Sequence, residues 1–127
     1  AGTLRAAATM YAAQHKLSTP KFHVTLRKAY GFGSSLMAMN PFDKQTASFA
    51  FPGITLGGVP ASSGGIAAKM SDKERAMLEK IEREGWRKIA DTLGYDEIID
   101  PRDLRNKLLV SLQLSRGRLN ESPRPKV

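Results

Sequence analysis

The sequence predicts one α/β domain, and three features of the chain support this fold class. Short apolar stretches of strand type alternate with longer stretches in which apolar residues recur at helical spacing. Clusters of glycine and proline separate these stretches and mark turns. The chain has 127 residues, of which 41% are hydrophobic, so it can build a single core.

The N-terminal half is predicted to begin with a helix and to continue with short strands. Alanine-rich sequence at helical spacing predicts a helix over residues 4–17, which Ser18-Thr19-Pro20 ends. The residues expected on its inner face are Leu4, Ala8, Tyr11 and Ala12. After this helix we expect a buried strand over 22–26, a short helix over 34–39, a loop at Asn40-Pro41, a strand over 46–51 and a short strand over 54–56.

The C-terminal half is predicted to contain two further helices. Ser71 and Glu74 form a capping box, in which each side chain satisfies the other residue's free amide, and the helix should end at Gly94. Its inward residues are expected to be Leu78, Ile81, Gly85, Ile89 and Leu93. A short return to the sheet over 95–99 and a capped helix start at Asp100-Pro101 follow.

The last helix is expected to end at Gly117 and to define the end of the domain. Its inward residues should be Leu104, Leu108, Leu109 and Leu112. The domain then spans residues 1–117, and residues 118–127 are predicted to form a flexible tail.

Composition argues against several classes of site. The chain has no cysteine, which excludes disulfide scaffolds and cysteine-bound zinc, and neither histidine has a partnered carboxylate motif nearby, so we expect no metal. No apolar run is long enough to cross a membrane and no signal-peptide pattern is present, so we expect a cytoplasmic protein without a membrane partner. The net charge of +8 suggests nucleic acid, but the basic residues are spread out and no basic–aromatic repeat is present. A solvated basic surface, suited to phosphate groups or an acidic partner, explains the charge better.

The segment from Arg27 to Met37 is the strongest candidate for a functional site. It places Gly31-Phe32-Gly33 between an apolar strand and a helix start, where the first amides have no partner inside the helix. Glycine lets another molecule's oxygen come close, so this is the geometry of an anion or oxyanion pocket. Neither a dinucleotide fingerprint nor a phosphate-loop motif is completed. The alternative is that the glycines only permit a sharp turn and close helix–strand packing.

Taken in order, several short motifs resemble the carboxyltransferase subunit of biotin-dependent acyl-CoA carboxylases. Each motif is weak alone, but the ordered set runs over nearly the whole chain and is specific. The motifs are Thr19-Pro20-Lys21, Arg27-Lys28-Ala29-Tyr30-Gly31, Phe49-Ala50-Phe51-Pro52, Gly57-Gly58, Asp96-Glu97-Ile98-Ile99-Asp100-Pro101 and Ser122-Pro123-Arg124-Pro125-Lys126. Two features depart from the family: Gly31-Phe32-Gly33-Ser34 replaces the commoner Gly-Gly-Ala-Tyr, and the stretch between Gly58 and Asp96 is shorter.

This resemblance implies a crotonase-like (ClpP/crotonase) spiral fold and a chain that is the C-terminal part of a carboxyltransferase domain. It implies transfer of a carboxyl group from carboxybiotin to an acyl-CoA of acetyl or propionyl type, in fatty acid or propionate metabolism. A decarboxylase relative stays open. In the family's pattern the backbone amides of Phe32, Gly33 and Ser34 stabilise an oxyanion. The residues implied to bind substrate or biotin are Tyr30, Gly31, Gly57 and Gly58.

The resemblance also implies partners. The implied cofactor is biotin on a carrier protein, with no metal in this chain. The implied partners are acyl-CoA, the biotin carboxyl carrier protein, biotin carboxylase, the N-terminal carboxyltransferase domain and further copies of the chain. Because the family's active site lies between domains of two subunits, we expect this chain alone to be inactive. Two other classes stay open: a non-catalytic crotonase-like interaction module and, with less support, a basic nucleic-acid-binding domain.

Overall fold

The computed structural model describes residues 2–37, 45–91 and 94–121, and it has the α/β architecture that the sequence predicts. The helices are α1 (Gly2–Lys16), α2 (Gly31–Leu36), α3 (Ala61–Ala67), α4 (Asp72–Asp91) and α5 (Leu104–Glu121), with a 3-10 turn over Pro101–Asp103 before α5. The strands are β1 (Phe22–Thr25), β2 (Lys28–Tyr30), β3 (Ala47–Ala50), β4 (Thr55–Gly57) and β5 (Glu97–Ile98). Four predictions fall on parts that the structure does not describe: the loop at Asn40-Pro41, the inward positions of the Ile89 and Leu93 side chains, and the tail beyond Glu121.

The described strands form two small parallel sheets. One has the order β1-β3-β5 and the other pairs β2 with β4. Only Leu26 and Arg27 separate β1 from β2, so the chain passes directly from the first sheet to the second. The sequence predicted that the strand over 22–26 would lead into the glycine turn. In the structure the second, shorter strand β2 does so.

The core consists of two clusters that meet at β3. All four residues of β3 are buried, as expected for a central strand whose alternate side chains point to opposite faces. One cluster contains Ala29, Ala50, Ile54, Leu56 and Tyr95, with Phe51, Trp86 and Ile98 packed against it. The other contains Ala47, Phe49 and Ile99, with Phe22, Val24, Phe51, Leu104 and Leu108 packed against it. Trp86 of α4 is therefore partly buried and packs against the core.

The predicted inner face of α1 is correct at Tyr11 and wrong at Leu4, Ala8 and Ala12. Leu4 is 72% exposed, whereas Ala7 is buried and Tyr11 and Gln14 are half-buried. Residues 7, 11 and 14 lie on one side of the helix, and this side faces the protein. From it, the Gln14 side-chain amide donates to the Leu36 carbonyl at the end of α2. Ala8 and Ala12 are exposed.

The inner faces of α4 and α5 also differ from the prediction. Ile81 is 49% exposed, and the neighbouring Glu82 is half-buried in its place, because its carboxylate binds two donors of the core. Leu109 and Leu112 are 50% and 41% exposed, so α5 turns only part of its leucine-rich surface inward. The helix also continues through Gly117 to Glu121, since a single glycine inside a helix costs only about 1 kcal/mol.

Candidate functional site

The glycine turn lies directly at the start of α2. Tyr30, the last residue of β2, has an extended backbone and forms the N-cap, and the helix begins at Gly31, three residues earlier than predicted. Gly31 has a φ of +59°, in the left-handed region that favours glycine. Phe32 and Gly33 therefore lie in the first turn of the helix and not in its middle.

The backbone amides of this first turn suit an anionic oxygen. In a helix capped by Tyr30, the amides of Gly31, Phe32 and Gly33 precede the first intrahelical hydrogen bond, which the Ser34 amide donates. Within the described chain no side chain caps this helix start, and no acidic residue lies in its first turn. The helix dipole adds a partial positive charge at the same place.

The side chains of Ser34 and Phe32 in the turn contact other groups of the protein. The Ser34 hydroxyl donates to the Gly31 carbonyl at 2.7 Å. The Phe32 ring packs against Tyr11 of α1, with ring centroids 5.9 Å apart and planes tilted by 60°. The turn therefore offers chemistry through its backbone rather than through a reactive side chain.

The second glycine segment, Gly57-Gly58, lies against the first. Tyr30 and Gly57 are paired in register, and a Cβ on Gly57 would lie 3.3 Å from Cε1 of Tyr30. A Cβ on Gly31 would lie 2.8 Å from the carbonyl oxygen of Gly58, so a larger residue does not fit at Gly31. The residues predicted from sequence for this site, Tyr30, Gly31, Phe32, Gly33, Ser34, Gly57 and Gly58, thus meet at one end of the β2–β4 pair.

Sequence reasoning missed Glu82 of α4, which is hydrogen-bonded to Tyr30 at the site and to the start of α3. Its Oε2 accepts a hydrogen bond from the Tyr30 hydroxyl at 3.0 Å, and its Oε1 accepts one from the Ala61 amide at 2.6 Å. Burial raises the pKa of Tyr30, and the neighbouring Glu82 carboxylate acts in the same direction, so the phenol keeps its proton at neutral pH. The start of α3 is thus occupied by a carboxylate of the protein itself, whereas the start of α2 is not. Helical spacing from Leu78 through Glu82 to Trp86 is the signal that places this carboxylate inward.

A polar group behind the turn was also missed. His23 Nδ1 lies 2.8 Å from the Met37 carbonyl, and His23 Nε2 lies 2.7 Å from the Thr25 hydroxyl. The Thr25 hydroxyl lies 2.9 Å from that of Tyr95. A cavity of about 510 Å³ runs beside this group and is lined in part by His23, Thr25, Ser34 and Met37. The alternation of His23 and Thr25 on one strand was visible in the sequence, but their partner Tyr95 is 70 residues away from Thr25.

In residues 2–37, 45–91 and 94–121, no three histidine, aspartate or glutamate side chains are grouped so that they could hold a metal ion. Among the helices of the described chain, none is both long and apolar enough to cross a membrane.

Comparison with solved structures gives clear relatives, although no family model and no curated protein sequence matches the chain. A transcarboxylase 12S structure, with methylmalonyl-coenzyme A and methylmalonic acid bound, superposes with a TM-score of 0.77 and 27% identity over 99% of this chain. A single-chain, multi-domain long-chain acyl-CoA carboxylase (TM-score 0.69, 23% identity) covers 86% of this chain. The geranyl-CoA carboxylase beta subunit of P. aeruginosa (TM-score 0.63, 22% identity) covers 92%. The long-chain acyl-CoA carboxylase and the geranyl-CoA carboxylase subunit, at 23% and 22% identity, show similarity of the fold alone.

The α/β fold is that of carboxyltransferase domains, with the two glycine segments at one end of a parallel strand pair. The resemblance predicted from the ordered motifs is confirmed, because the chain matches one part of a carboxyltransferase over nearly its whole length. It spans only about a quarter of the length of the transcarboxylase 12S chain, 12% of the single-chain carboxylase and 28% of the geranyl-CoA carboxylase subunit.

Proposed function

We propose that this chain forms one side of a carboxyltransferase active site, which moves a carboxyl group from carboxybiotin to an acyl-CoA. The observation that carries the proposal is the uncapped start of α2 at the glycine turn, in a chain with the carboxyltransferase fold. The fold we propose for the whole domain is the crotonase-like spiral. Acetyl-CoA or propionyl-CoA is the proposed substrate that accepts the carboxyl group.

The backbone amides of Phe32 and Gly33 are proposed to stabilise negative charge on an oxygen of the reactants. Bound carboxybiotin supplies the carboxyl group, and its ureido oxygen is the group that the amides would hold. The absence of acidic residues from the first turn of α2 fits this role, because a carboxylate there would repel an anionic oxygen. One such donor contributes about a hundredfold to a thousandfold in rate. The Ser34 amide is the third predicted donor, although helix geometry directs it toward the Tyr30 carbonyl.

The two glycine segments are proposed to shape the rest of the site. Gly57 is the last residue of β4 and lies against Tyr30, and Gly58 follows it and lies against Gly31. Because both are glycines, neither places a side chain in front of the turn. The Tyr30 ring borders the proposed site next to Gly57, and its hydrogen bond to Glu82 fixes its orientation. We propose that Tyr30, Gly31, Gly57 and Gly58, which these contacts hold together, bind the substrate or the biotin ring.

The partners are proposed on the same basis. A chain that spans about a quarter of a transcarboxylase 12S polypeptide leaves most of that protein's surface to be supplied by other segments. We propose that an N-terminal carboxyltransferase domain completes the site, that biotin arrives on a carboxyl carrier protein charged by biotin carboxylase, and that the active form is a homo-oligomer in the cytoplasm. The comparisons do not favour the interaction-module or nucleic-acid alternatives.

The test is a chimera in which this chain replaces the corresponding quarter of transcarboxylase 12S, assayed for carboxyl transfer. Gly33→Pro removes one amide hydrogen, and Gly33→Ala is the matched control because it keeps the amide and its Cβ would meet no atom within 4 Å. Proline at this position also disfavours a helical backbone at the preceding Phe32, so circular dichroism must first show that the variant folds.

We expect the proline variant to lose about a hundredfold or more in rate and the alanine variant to stay active. We expect Ser34→Ala, which removes only a hydroxyl, to stay active too. Loss of activity in a folded Ser34→Ala chimera, or full activity in Gly33→Pro, would contradict the backbone role. An inactive unmodified chimera that is folded would contradict the proposed function itself.

A further inference from the structure

A continuous chain of hydrogen bonds connects the core of the protein to the end of α2. It runs from the Tyr95 hydroxyl to the Thr25 hydroxyl, then to His23, and from His23 to the main-chain carbonyl of Met37. Tyr95 and Thr25 are 3% and 5% exposed. Water therefore has little access to the inner end, and each donor there must find its acceptor within the protein.

The donor and acceptor of each hydrogen bond can be assigned by starting from the Met37 carbonyl, the last group in the chain. A carbonyl oxygen only accepts, so His23 Nδ1 must carry the hydrogen that is donated to Met37. A neutral imidazole has a single N–H, so Nε2 is an acceptor and the Thr25 hydroxyl donates to it. A hydroxyl has one hydrogen, so Thr25 in turn accepts from the Tyr95 hydroxyl. The inner partners thus select the tautomer of His23 that can hold Met37.

The outer end of this chain lies on α2. Leu36 is the last residue of that helix and Met37 is its C-cap, and the last carbonyls of a helix have no partner inside it. Gln14 from α1 donates to the Leu36 carbonyl, and His23 from β1 donates to that of Met37. Two side chains from two other elements therefore hold the short helix by its C-terminal end, while β2 holds its N-terminal end.

We propose that His23 is a positioning residue, which Thr25 and Tyr95 fix as the Nδ1–H tautomer so that it holds α2 and its glycine turn in place against the sheet. The role of the turn rests on the proposed function, but the placement of α2 can be measured in this chain without any activity. His23 also stacks on the Tyr95 ring, with centroids 6.5 Å apart, so a purely space-filling role is the alternative to be excluded.

Two substitutions at position 23 separate hydrogen bonding from packing. His23→Asn keeps an N–H donor two bonds beyond Cβ, as Nδ1 is in histidine, but has no atom at the position of Nε2 to accept from Thr25. His23→Leu has the same branching as asparagine and fills the space, but it donates nothing. If His23 only packs, leucine should replace it at least as well as asparagine does.

The experiment is NMR on the ¹⁵N-labelled chain at neutral pH. In the unmodified protein we expect His23 Nδ1 to show the signal of a protonated ring nitrogen and Nε2 that of an unprotonated one. In His23→Leu we expect hydrogen exchange of the Ser35, Leu36 and Met37 amides to rise about fivefold or more, the factor for the loss of one hydrogen bond. In His23→Asn we expect most of this protection to return, and the amides of α4 serve as the control.

Three results would overturn the positioning role of His23. An Nε2–H tautomer in the unmodified chain overturns it, whether or not the variants fold. Equal exchange rates in His23→Leu and the unmodified chain overturn it as well, as does equal acceleration by leucine and asparagine. The chimera with transcarboxylase 12S tests the proposed function separately. If α2 is loosened in a folded His23→Leu chimera and carboxyl transfer is unchanged, the positioning inference holds and the role assigned to the amides fails.

Discussion

Gly31 lies so close to Gly58 that a Cβ on residue 31 would be 2.8 Å from the Gly58 carbonyl oxygen. The contact is between backbone atoms, so neither partner can move aside as a flexible side chain would. It fixes the distance between the start of α2 and the end of β4, the two segments that form the candidate site.

This contact predicts opposite effects for alanine at two neighbouring glycines. Gly31→Ala meets both the Gly58 carbonyl and a φ of +59°, and we expect it to lower the free energy of unfolding by about 1–3 kcal/mol. Gly33→Ala has open space around its Cβ and lies inside a helix, so we expect no loss and a gain of up to about 1 kcal/mol. Urea denaturation of the two variants gives the comparison. Equal stabilities would show that the Gly31–Gly58 contact is not the constraint described.

Glu82 gives a second prediction, because its carboxylate serves two donors. Glu82→Met keeps the length of the side chain and leaves the Tyr30 hydroxyl and the Ala61 amide without their acceptor, so we expect a loss of about 1–3 kcal/mol. Glu82→Gln should cost less than half as much. Its carbonyl oxygen can accept from Ala61, and its amide can donate to the Tyr30 oxygen. Glu84→Met, at an exposed position of the same helix, is the control. A glutamine variant as unstable as the methionine variant would contradict this arrangement.

His23 predicts how stability depends on pH. Burial lowers the pKa of His23 from its ordinary value of 6.5, although the hydrogen bond to the Met37 carbonyl acts in the opposite direction. Below pH 6.5 the unfolded chain therefore binds more protons at this residue than the folded chain does. The free energy of unfolding should fall as the pH is lowered from 6.5 toward the pKa of the folded state.

The measurement is urea denaturation from about pH 7.5 down to about pH 5, compared between the unmodified chain and His23→Asn. The asparagine variant should lose the His23 part of this dependence. Hydrogen bonds from Ser71 and from Arg102 lower the pKa values of Glu74 and Asp100 from 4.5 and 3.8, so these carboxylates act in more acidic solution. A dependence that is unchanged in His23→Asn would argue against a depressed pKa at His23.

The chain alone is predicted to show no carboxyl transfer with biotin and acyl-CoA. It spans about a quarter of the length of the transcarboxylase 12S polypeptide, and the proposed site has only one of its sides here. A radiolabelled carboxyl-transfer assay on chain purified free of host carboxylase provides the test. Turnover by this chain would show that the glycine segments are sufficient and that no further domain is needed.

Several parts of the fold were predictable because they depend on local chemistry. The capping box is formed as expected: the Ser71 amide donates to the Glu74 carboxylate, and the Glu74 amide donates to the Ser71 hydroxyl. Asp100 accepts from the Arg102 amide ahead of α5. The strand over Ala47–Ala50 lies inside its predicted range. Such features depend on residues a few positions apart, where propensity and spacing carry most of the information.

The parts that were wrong depend on contacts between distant residues. Helical spacing alone placed Ile81 inward, but the need of Tyr30 and Ala61 for an acceptor brings Glu82 inward instead. At the site, the glycine turn was visible in sequence, since glycine has a distinct backbone preference. The chain of hydrogen bonds through His23 was not visible, because each member is an ordinary residue until the sheet brings Thr25 and Tyr95 together.

The parallel pairing of the strands also has a consequence for how this chain folds. Phe22 pairs with Ala47, and Phe49 pairs with Glu97, so no pair among the described strands is a hairpin with a short turn. Each pairing must close a loop of some twenty-five to fifty residues before its hydrogen bonds compensate for the lost chain entropy. Proteins with such distant contacts fold slowly for their size and expose strand edges while they do so. β3 pairs with both of its neighbours, and the chain that reaches β5 must be made before the sheet can close. Newly synthesised chains should therefore stay prone to aggregation until β5 has been made.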